Sequence, residues 1–366
     1  MAQLRVLIAG GGTGGHIIPA LAVARELVER HGAQVLFVGT PRGLESRMVP
    51  AAGFEVRLIQ VGQLKNVSLM TKLRTAFDLP RAVMACRRLI REFKPGAVLG
   101  VGGYASGSGM AAALLAGVPA MAFEPNAMPG LANRLVGKRV QAAAVNFPAA
   151  ARWFRNAEVT GIPVRPEFFA LEPPAPEPPH LLVFGGSQGA RLFNTTLPKI
   201  AAALLDRVPG LTILHQAGAR HAETTQAAYA ASAGGADARR WMVQAFLDDM
   251  PARFARATLV MARSGASTVA ELAAAGKPSL LVPFAAAADD HQRRNAEELV
   301  KAGAAEILLE AELGEPGRLL ERLAELLGSP ERLARMAAAA KTQARPGAAE
   351  RIAEMLVEME GRGSRE

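Results

Sequence analysis

What most narrows the folds open to this chain is a short apolar run that breaks into glycines. Leu4 to Ala9 reads as a buried strand and feeds Gly10-Gly11-Gly12-Thr13-Gly14-Gly15-His16, after which Pro19 sits where helices often begin. Glycines let backbone approach an anion closely, and the first turn of a helix offers N–H groups and a partial positive charge. The device returns at Leu181 to Phe184, followed by Gly185-Gly186-Ser187-Gln188-Gly189. Two such turns predict two similar α/β halves with a phosphate-bearing nucleotide held between them. A chain of 366 residues, 50% hydrophobic, is long enough for two cores.

Apolar runs alternate with helical patterns throughout, which signals βαβ units and parallel sheets. Leu4–Ala9, Val35–Gly39, Ala97–Val101, Ala120–Phe123 and Ala142–Val145 read as strands of the first half. Leu181–Phe184, Thr212–His215, Leu259–Ala262 and Ser279–Val282 read as strands of the second. The uncharged stretch Pro95 to Phe123 is broken by glycines and reads as strand, glycine loop, helix and strand rather than a membrane span. Between the halves, the prolines from Pro163 to Pro179 forbid regular structure and predict a semi-rigid connector. Gly102-Gly103-Tyr104 with Gly117-Val118-Pro119 is echoed by Ser264-Gly265-Ala266 with Gly276-Lys277-Pro278, so the halves look like variants of one doubly wound unit. Ligands of such sheets bind beyond the carboxyl ends of the strands, which puts the expected site in an interdomain cleft. Glu350 to Glu360 is amphipathic, with Ile352, Met355, Leu356 and Met359 on the face that would dock on either half.

Composition removes several function classes. The single cysteine, Cys86, rules out an internal disulfide framework and reads as a small core residue in a reducing compartment. Met1 to Gly10 lacks an apolar segment followed by a cleavage site, which predicts a cytoplasmic location. A net charge of +9 favours acidic partners, either nucleic acid or an anionic membrane surface. Only 5% of the residues are aromatic, a poor supply for a base-stacking platform, so nucleic acid is not expected.

The glycine turns do not carry a dinucleotide fingerprint, because the end of the second strand reads Gly39-Thr40-Pro41-Arg42 where an acidic residue should hold the ribose. Neither turn ends in the Gly-Lys-Ser/Thr of a Walker loop. His16 is either a solvated turn residue or, beside a phosphate-type loop, a base for an attacking hydroxyl. Thr268-Val269-Ala270-Glu271 matches a helix capping box, and Glu271 reads equally well as a carboxylate accepting both hydroxyls of a ribose. Asp289-Asp290-His291-Gln292 with Asn295 lacks the second histidine or Asp-x-Asp pair of a metal site and reads as an amide and hydroxyl recognition cluster.

Taken together, Gly11-Gly12-Thr13-Gly14-Gly15-His16, Gly102-Gly103-Tyr104, Glu124-Pro125-Asn126, Gly185-Gly186-Ser187-Gln188-Gly189-Ala190 and Ser264-Gly265-Ala266-Ser267-Thr268-Val269-Ala270-Glu271 closely resemble the MurG family. These are the bacterial UDP-N-acetylglucosamine:N-acetylmuramyl-(pentapeptide) pyrophosphoryl-undecaprenol N-acetylglucosamine transferases of glycosyltransferase family 28. The resemblance runs from Leu4 to about Ala296. It implies an α/β GT-B fold, two doubly wound Rossmann-like domains facing each other across a cleft. Residues 1–162 would form an acceptor-binding and membrane-associating domain and 163–179 the linker. Residues 180–344 would bind UDP-GlcNAc, and 345–366 would form a helix docking back on the first domain.

The implied reaction is an inverting transfer of N-acetylglucosamine, needing neither metal nor cofactor, to the 4-hydroxyl of MurNAc in undecaprenyl-pyrophosphoryl-MurNAc-pentapeptide (lipid I), giving lipid II and UDP for peptidoglycan. The alternative is another UDP-sugar enzyme of this fold, a glycolipid glycosyltransferase or a UDP-GlcNAc 2-epimerase. By the resemblance, His16 is the base, Ser187 and Arg165 meet the donor diphosphate, the backbone at Leu247 meets uracil, and Glu271 meets the ribose. Asn126, Ala266, Ser267, Thr268 and Gln292, with Thr13, Gly14 and Gly15, surround the donor sugar. Tyr104 and Glu124 are assigned to the acceptor. The family has Glu-Gln-Asn where this chain has Glu124-Pro125-Asn126, so the middle residue brings neither an amide side chain nor a backbone donor.

The acceptor is a membrane lipid, so the implied place is peripheral, on the cytoplasmic face of the inner membrane, with other cell-wall synthesis proteins as a further partner class. Between Gly62 and Arg91, apolar residues including Leu64, Leu69, Leu73 and Phe77 interleave with Lys65, Lys72 and Arg74. Such a surface would insert at an anionic interface. An ordinary helix packed on the sheet explains many of the same apolar positions.

Overall fold

The computed structural model describes residues 3–60, 69–172, 178–233 and 238–363. The chain divides into two compact units, Met1–Pro163 with Gly347–Glu366, and Val164–Pro346.

The first unit opens β1 (Arg5–Gly10), α1 (Gly14–His31), β2 (Gln34–Gly39), α2 (Glu45–Ala51), β3 (Glu55–Leu58) and α3 (Leu69–Phe93). It continues β4 (Ala97–Gly102), α4 (Tyr104–Ala116), β5 (Ala120–Glu124), α5 (Leu131–Val136), β6 (Ala142–Val145), α6 (Pro148–Ala151) and β7 (Ala157–Val159). The strands form one sheet in the order β3-β2-β1-β4-β5-β6-β7, parallel throughout, with Val6 of β1 opposite Val35 of β2 and Ala97 of β4. Strand order reverses between β1 and β4, and both end in the glycines Gly10 and Gly102. Such a switch point is where an open α/β sheet receives ligands.

Pro95 to Phe123 folds as its sequence predicts, into β4, α4 and β5. The small side chains of α4 bring it tight against the sheet, since a Cβ at Gly109 would overlap Ala9. Cys86 is fully buried, and burial pushes its thiol up to about 12, as befits a core residue. Pro19 does not begin α1. The helix starts at Gly14, capped by extended Thr13, so Pro19 lies inside and has no N–H to give the carbonyl of Gly15. β3 and β7 were absent from the apolar-run reading because β3 is largely solvent-facing and β7 is three residues long.

The second unit runs α7 (Pro166–Phe169), β8 (His180–Phe184), α8 (Arg191–Arg207), β9 (Thr212–Gln216), α9 (Ala222–Ser232), β10 (Trp241–Gln244) and α10 (Met250–Arg256). Then follow β11 (Leu259–Ala262), α11 (Ala266–Ala275), β12 (Ser279–Leu281), α12 (His291–Lys301), β13 (Ala305–Ile307), α13 (Pro316–Leu327) and α14 (Pro330–Thr342). Its parallel sheet has the order β10-β9-β8-β11-β12-β13, so β8 and β11 form the second switch point. The proline-rich stretch is not wholly irregular. Pro166 starts the single turn of α7, and Phe168 is completely buried, its ring edge-on to Phe254 at 5.1 Å. Prolines tolerate that position because the first helical N–H has no intrahelical partner.

The final helix, α15 (Ala348–Gly363), belongs to the first unit and packs on α1. Ile352, Met355, Leu356 and Met359 are all buried there. At its rim Arg351 grips Glu158 through Nε–Oε1 at 2.7 Å and Nη2–Oε2 at 2.9 Å.

Candidate functional site

In the first unit, the chain leaves β1 through positive-φ backbone that favours glycine, with Gly10 at 141°, Gly11 at 139° and Gly12 at 91°. It enters α1 with Thr13 Oγ1 3.2 Å from His16 Nδ1. The amide of Gly11 donates to the carbonyl of Gly102 at 3.1 Å, tying this turn to the one after β4. A Cβ on Gly102 would stand 2.8 Å from His16 Nε2, so the imidazole lies over a backbone that must be glycine. His16 therefore sits half-buried at the switch point, in the first turn of α1. Tyr104 opens α4 just beyond it.

Glu124 ends β5 and is almost completely buried. Its carboxylate accepts from the Asn126 amide at 2.9 Å, Asn126 Nδ2 at 3.2 Å, the Gly130 amide at 3.0 Å and Asn133 Nδ2 at 2.9 Å. Burial pushes this carboxyl up from the usual range, and the donors pull the other way. Both oxygens thus accept from the following loop and from α5, so Glu124 fixes the position of Asn126. Pro125 has no N–H to lose here, and its carbonyl accepts from Asn146 Nδ2 at 3.2 Å.

The second unit repeats the strand-turn-helix device after β8. Ser187 and Gln188 are exposed at the tip, the Gly189 amide donates to the Gly186 carbonyl at 2.8 Å, and Gln216 Nε2 reaches the same carbonyl at 3.1 Å. A cavity of about 540 Å³ opens beside this turn, lined among others by Gly185, Gly189, Arg263, Phe284, Gln292 and Glu310. Gln292 is fixed there by its Oε1, which accepts from the Phe284 amide at 3.0 Å. Arg263, paired with Glu310, also donates to the carbonyls of Val282 at 3.1 Å and Pro283 at 3.2 Å. Its guanidinium lies 4.9 Å from the Phe193 ring centroid and 5.4 Å from that of Phe284. The apolar-run pattern gives no sign of Arg263, which follows β11 directly before Ser264-Gly265. Glu310 gave no signal, because it follows the unrecognised strand β13.

The capping-box reading of Thr268 and Glu271 is overturned. α11 is capped at Gly265 and starts at Ala266, so Thr268 lies within its first turn and Glu271 in its interior. Burial pushes the Glu271 carboxyl up to about 7, against the opposing pull of the Arg165 guanidinium. Arg165, exposed at the start of α7, lies 5.1 Å from the Phe168 ring centroid, so the connector brings a cation toward α11. Leu247 is buried in the loop between β10 and α10. Of the acidic cluster, Asp289 and Asp290 take left-handed backbone at φ 55° and 54°, and Asn295 Nδ2 donates to the Ser264 carbonyl at 3.2 Å. Among the described residues no three His, Cys, Asp or Glu side chains gather as a metal site.

Of the expected membrane surface, Leu64 and Lys65 lie outside the described residues. Leu69, Lys72, Leu73, Arg74 and Phe77 fall on the first turns of α3, where only the backbone is described. Further along, α3 buries Ala82, Cys86 and Ile90 while exposing Leu79, Arg81, Met84, Arg87 and Arg88. One face of α3 therefore packs into the core as an ordinary helix does, and the other leaves apolar and basic side chains exposed. No helix among the described residues is long and apolar enough to cross a membrane.

The glycosyltransferase family 28 N-terminal domain model matches residues 6–145, and the family 28 C-terminal domain model matches residues 180–352. A relative from Solibacter usitatus, named UDP-N-acetylglucosamine--N-acetylmuramyl-(pentapeptide) pyrophosphoryl-undecaprenol N-acetylglucosamine transferase, is 46% identical over 96% of this chain and 95% of its own length. The chain belongs to glycosyltransferase family 28. A family 28 relative from Pseudomonas fluorescens with the same name is 45% identical over 97% of this chain and 98% of its own. The crystal structure of Acinetobacter baumannii MurG superposes with a TM-score of 0.83 at 32% identity, covering 97% of this chain and 99% of that one. The fold is thus GT-B, built from two Rossmann-like domains.

Proposed function

We propose that this family 28 chain transfers N-acetylglucosamine from UDP-GlcNAc to the 4-hydroxyl of MurNAc in lipid I, producing lipid II and UDP for peptidoglycan synthesis. The observation that carries the reading is the Thr13–His16 pair over Gly102, at the switch point of the first unit. In this reading the acceptor hydroxyl oxygen bonds to C1 of the sugar as His16 takes its proton. The bond from C1 to the diphosphate breaks, and UDP leaves with its electron pair, so the anomeric centre inverts. Nδ1–H of His16 would then donate to Thr13 Oγ1 and leave Nε2 as the basic nitrogen.

The second unit supplies the donor's place. Charge growing on the departing diphosphate is met by Arg165 and by the Ser187 turn at the head of α8, without a divalent ion. Glu271 takes the ribose hydroxyls and the backbone at Leu247 the uracil. Asn126, Ala266, Ser267, Thr268 and Gln292, with Thr13 to Gly15, enclose the sugar. The loop held by Glu124 sets the side chain of Asn126 for that purpose.

The acceptor's polyprenyl chain calls for peripheral attachment at the cytoplasmic face of the inner membrane. The start of α3, with Leu69, Lys72, Leu73, Arg74 and Phe77, and the preceding Leu64 and Lys65 are the surface we assign to it. Liposome sedimentation tests this assignment: replacing Lys72, Arg74 and Phe77 releases the protein from vesicles containing anionic lipid, and unchanged binding removes it. Transfer of labelled sugar from UDP-GlcNAc into lipid I, undiminished in excess EDTA, tests the reaction. Release of free epimerised sugar with no labelled lipid overturns it.

A further inference from the structure

A second carboxylate lies under the first glycine turn, and nothing in the reaction above uses it. Glu45, the first residue of α2, is 1% exposed. Its Oε2 accepts from the Gly12 amide at 2.6 Å, and its Oε1 accepts from the Thr40 amide at 2.8 Å and the Thr40 hydroxyl at 3.0 Å. The chain is wrapped on this group. A Cβ at Gly11, Gly39 or Gly43 would overlap the Glu45 side chain. The neighbouring Leu44 amide reaches the Gly12 carbonyl at 3.5 Å, so Gly12 is gripped by both of its polar groups.

Glycine turns at the head of a helix attract anions because their amides converge on one spot. Here the amide of Gly12 already faces an anion that the chain itself provides, and charge-assisted bonds of this kind are about twice as strong as neutral ones. The acid that a dinucleotide site would aim outward from the end of β2 is replaced by one reaching inward from α2. In the second unit the contrast is plain, since no carboxylate meets the amides of Gly185 to Gly189 among the described residues.

We infer that Glu45 is the built-in anion of the first glycine turn: a positioning residue that fills the seat at Gly12 and, by fixing the turn, sets Thr13 and His16. The consequence is a division between the two turns. The second receives a phosphate from the ligand, whereas the first has its charge satisfied internally and serves to aim a side chain. The effect on catalysis rests on the proposed reaction. The occupancy of the seat does not.

The test uses Glu45→Gln, which keeps the shape and removes the charge, on the full chain. Labelled sugar transfer falls at least tenfold in kcat, while the affinity for UDP, measured by calorimetry, stays within twofold of the parent. The ring resonance of His16 shifts, and those of His31, His180, His215, His221 and His291 do not. In the unsubstituted protein, inorganic phosphate and UDP move the amide resonances of Gly186 to Gly189 and leave that of Gly12 in place, a measurement that needs no variant to fold. A Gly12 amide that moves with phosphate, a His16 resonance indifferent to Glu45→Gln, or a UDP affinity that falls with kcat overturns the inference. Absence of transfer by the unsubstituted protein instead overturns the proposed reaction and leaves the resonance tests standing.

Discussion

The hydroxyl of Thr13 lies 3.2 Å from Nδ1 of His16, across a single turn at the head of α1. A base needs its other nitrogen unprotonated, so the partner at Nδ1 decides the tautomer. His16→Ala should lower kcat by about 10² to 10⁴-fold, the range of a positioned base, and leave UDP affinity unchanged. Thr13→Val, which keeps the shape and removes the oxygen, should lower kcat about tenfold by withdrawing the partner at Nδ1. Single-turnover transfer with a parallel UDP titration checks both, and a loss of UDP binding in either variant would assign the pair to the donor instead.

In the proposed donor site, Glu271 would make UDP binding depend on pH. Its carboxyl is pushed up to about 7, and a ribose hydroxyl is best accepted by the ionised form. UDP should therefore bind more weakly as pH falls below 7, and Glu271→Gln should flatten the profile. Arg165→Ala removes the pull that opposes burial, so the midpoint should move upward. Stability runs in the opposite sense: the folded pKa is raised, so ionisation costs stability as pH rises from the ordinary carboxylate value of 4.5 toward 7. Glu271→Gln should raise Tm at pH 8 and change it little at pH 5, by scanning calorimetry.

Phe168, from the stretch that reads as a linker, is a core residue of the second unit. Phe168→Ala should cost about 3 to 5 kcal/mol in urea unfolding, because the ring leaves a cavity against Phe254. Exposed Glu167→Ala should change stability by less than about 0.5 kcal/mol.

The last helix is held by its apolar face more than by its charges. Arg351 bonds Glu158, Glu354 and Glu358, but all four side chains are more than a third exposed, and such pairs are worth at most about 1 kcal/mol. Arg351→Ala should therefore have a small effect that vanishes in molar salt. Leu356→Ala, at a fully buried position, should cost about 2 to 5 kcal/mol under the same urea assay.

What could be read directly from the residues follows from burial. The central strands β1, β4, β8 and β11 are covered on both faces and spell continuous apolar runs, so their glycine turns and the two-unit architecture were legible. β3, β7, β10 and β13 are short or half exposed and carry no such signal. Glu45 escaped because it reaches Gly12 across 33 positions, a distance at which pattern has no reach. Glu271 was legible as a carboxylate worth noting, but its neighbour Arg165 comes from α7, where the prolines hid a helical turn.

Because α15 returns to the first unit, that unit is discontinuous in the chain, and a ribosome delivers it in two instalments. Residues up to Pro163 emerge early, and the helix that covers α1 arrives only after all of Val164–Pro346 has been made. Synthesis at about 5 to 20 residues per second leaves the docking face of α1 uncovered for many seconds. The nascent first unit thus exposes the face of α1 that α15 covers, and a fragment ending at Pro163 would lack that cover. A version that folds as it emerges would place Gly347–Gly363 ahead of β1, a circular permutation that closes the first unit before the second begins.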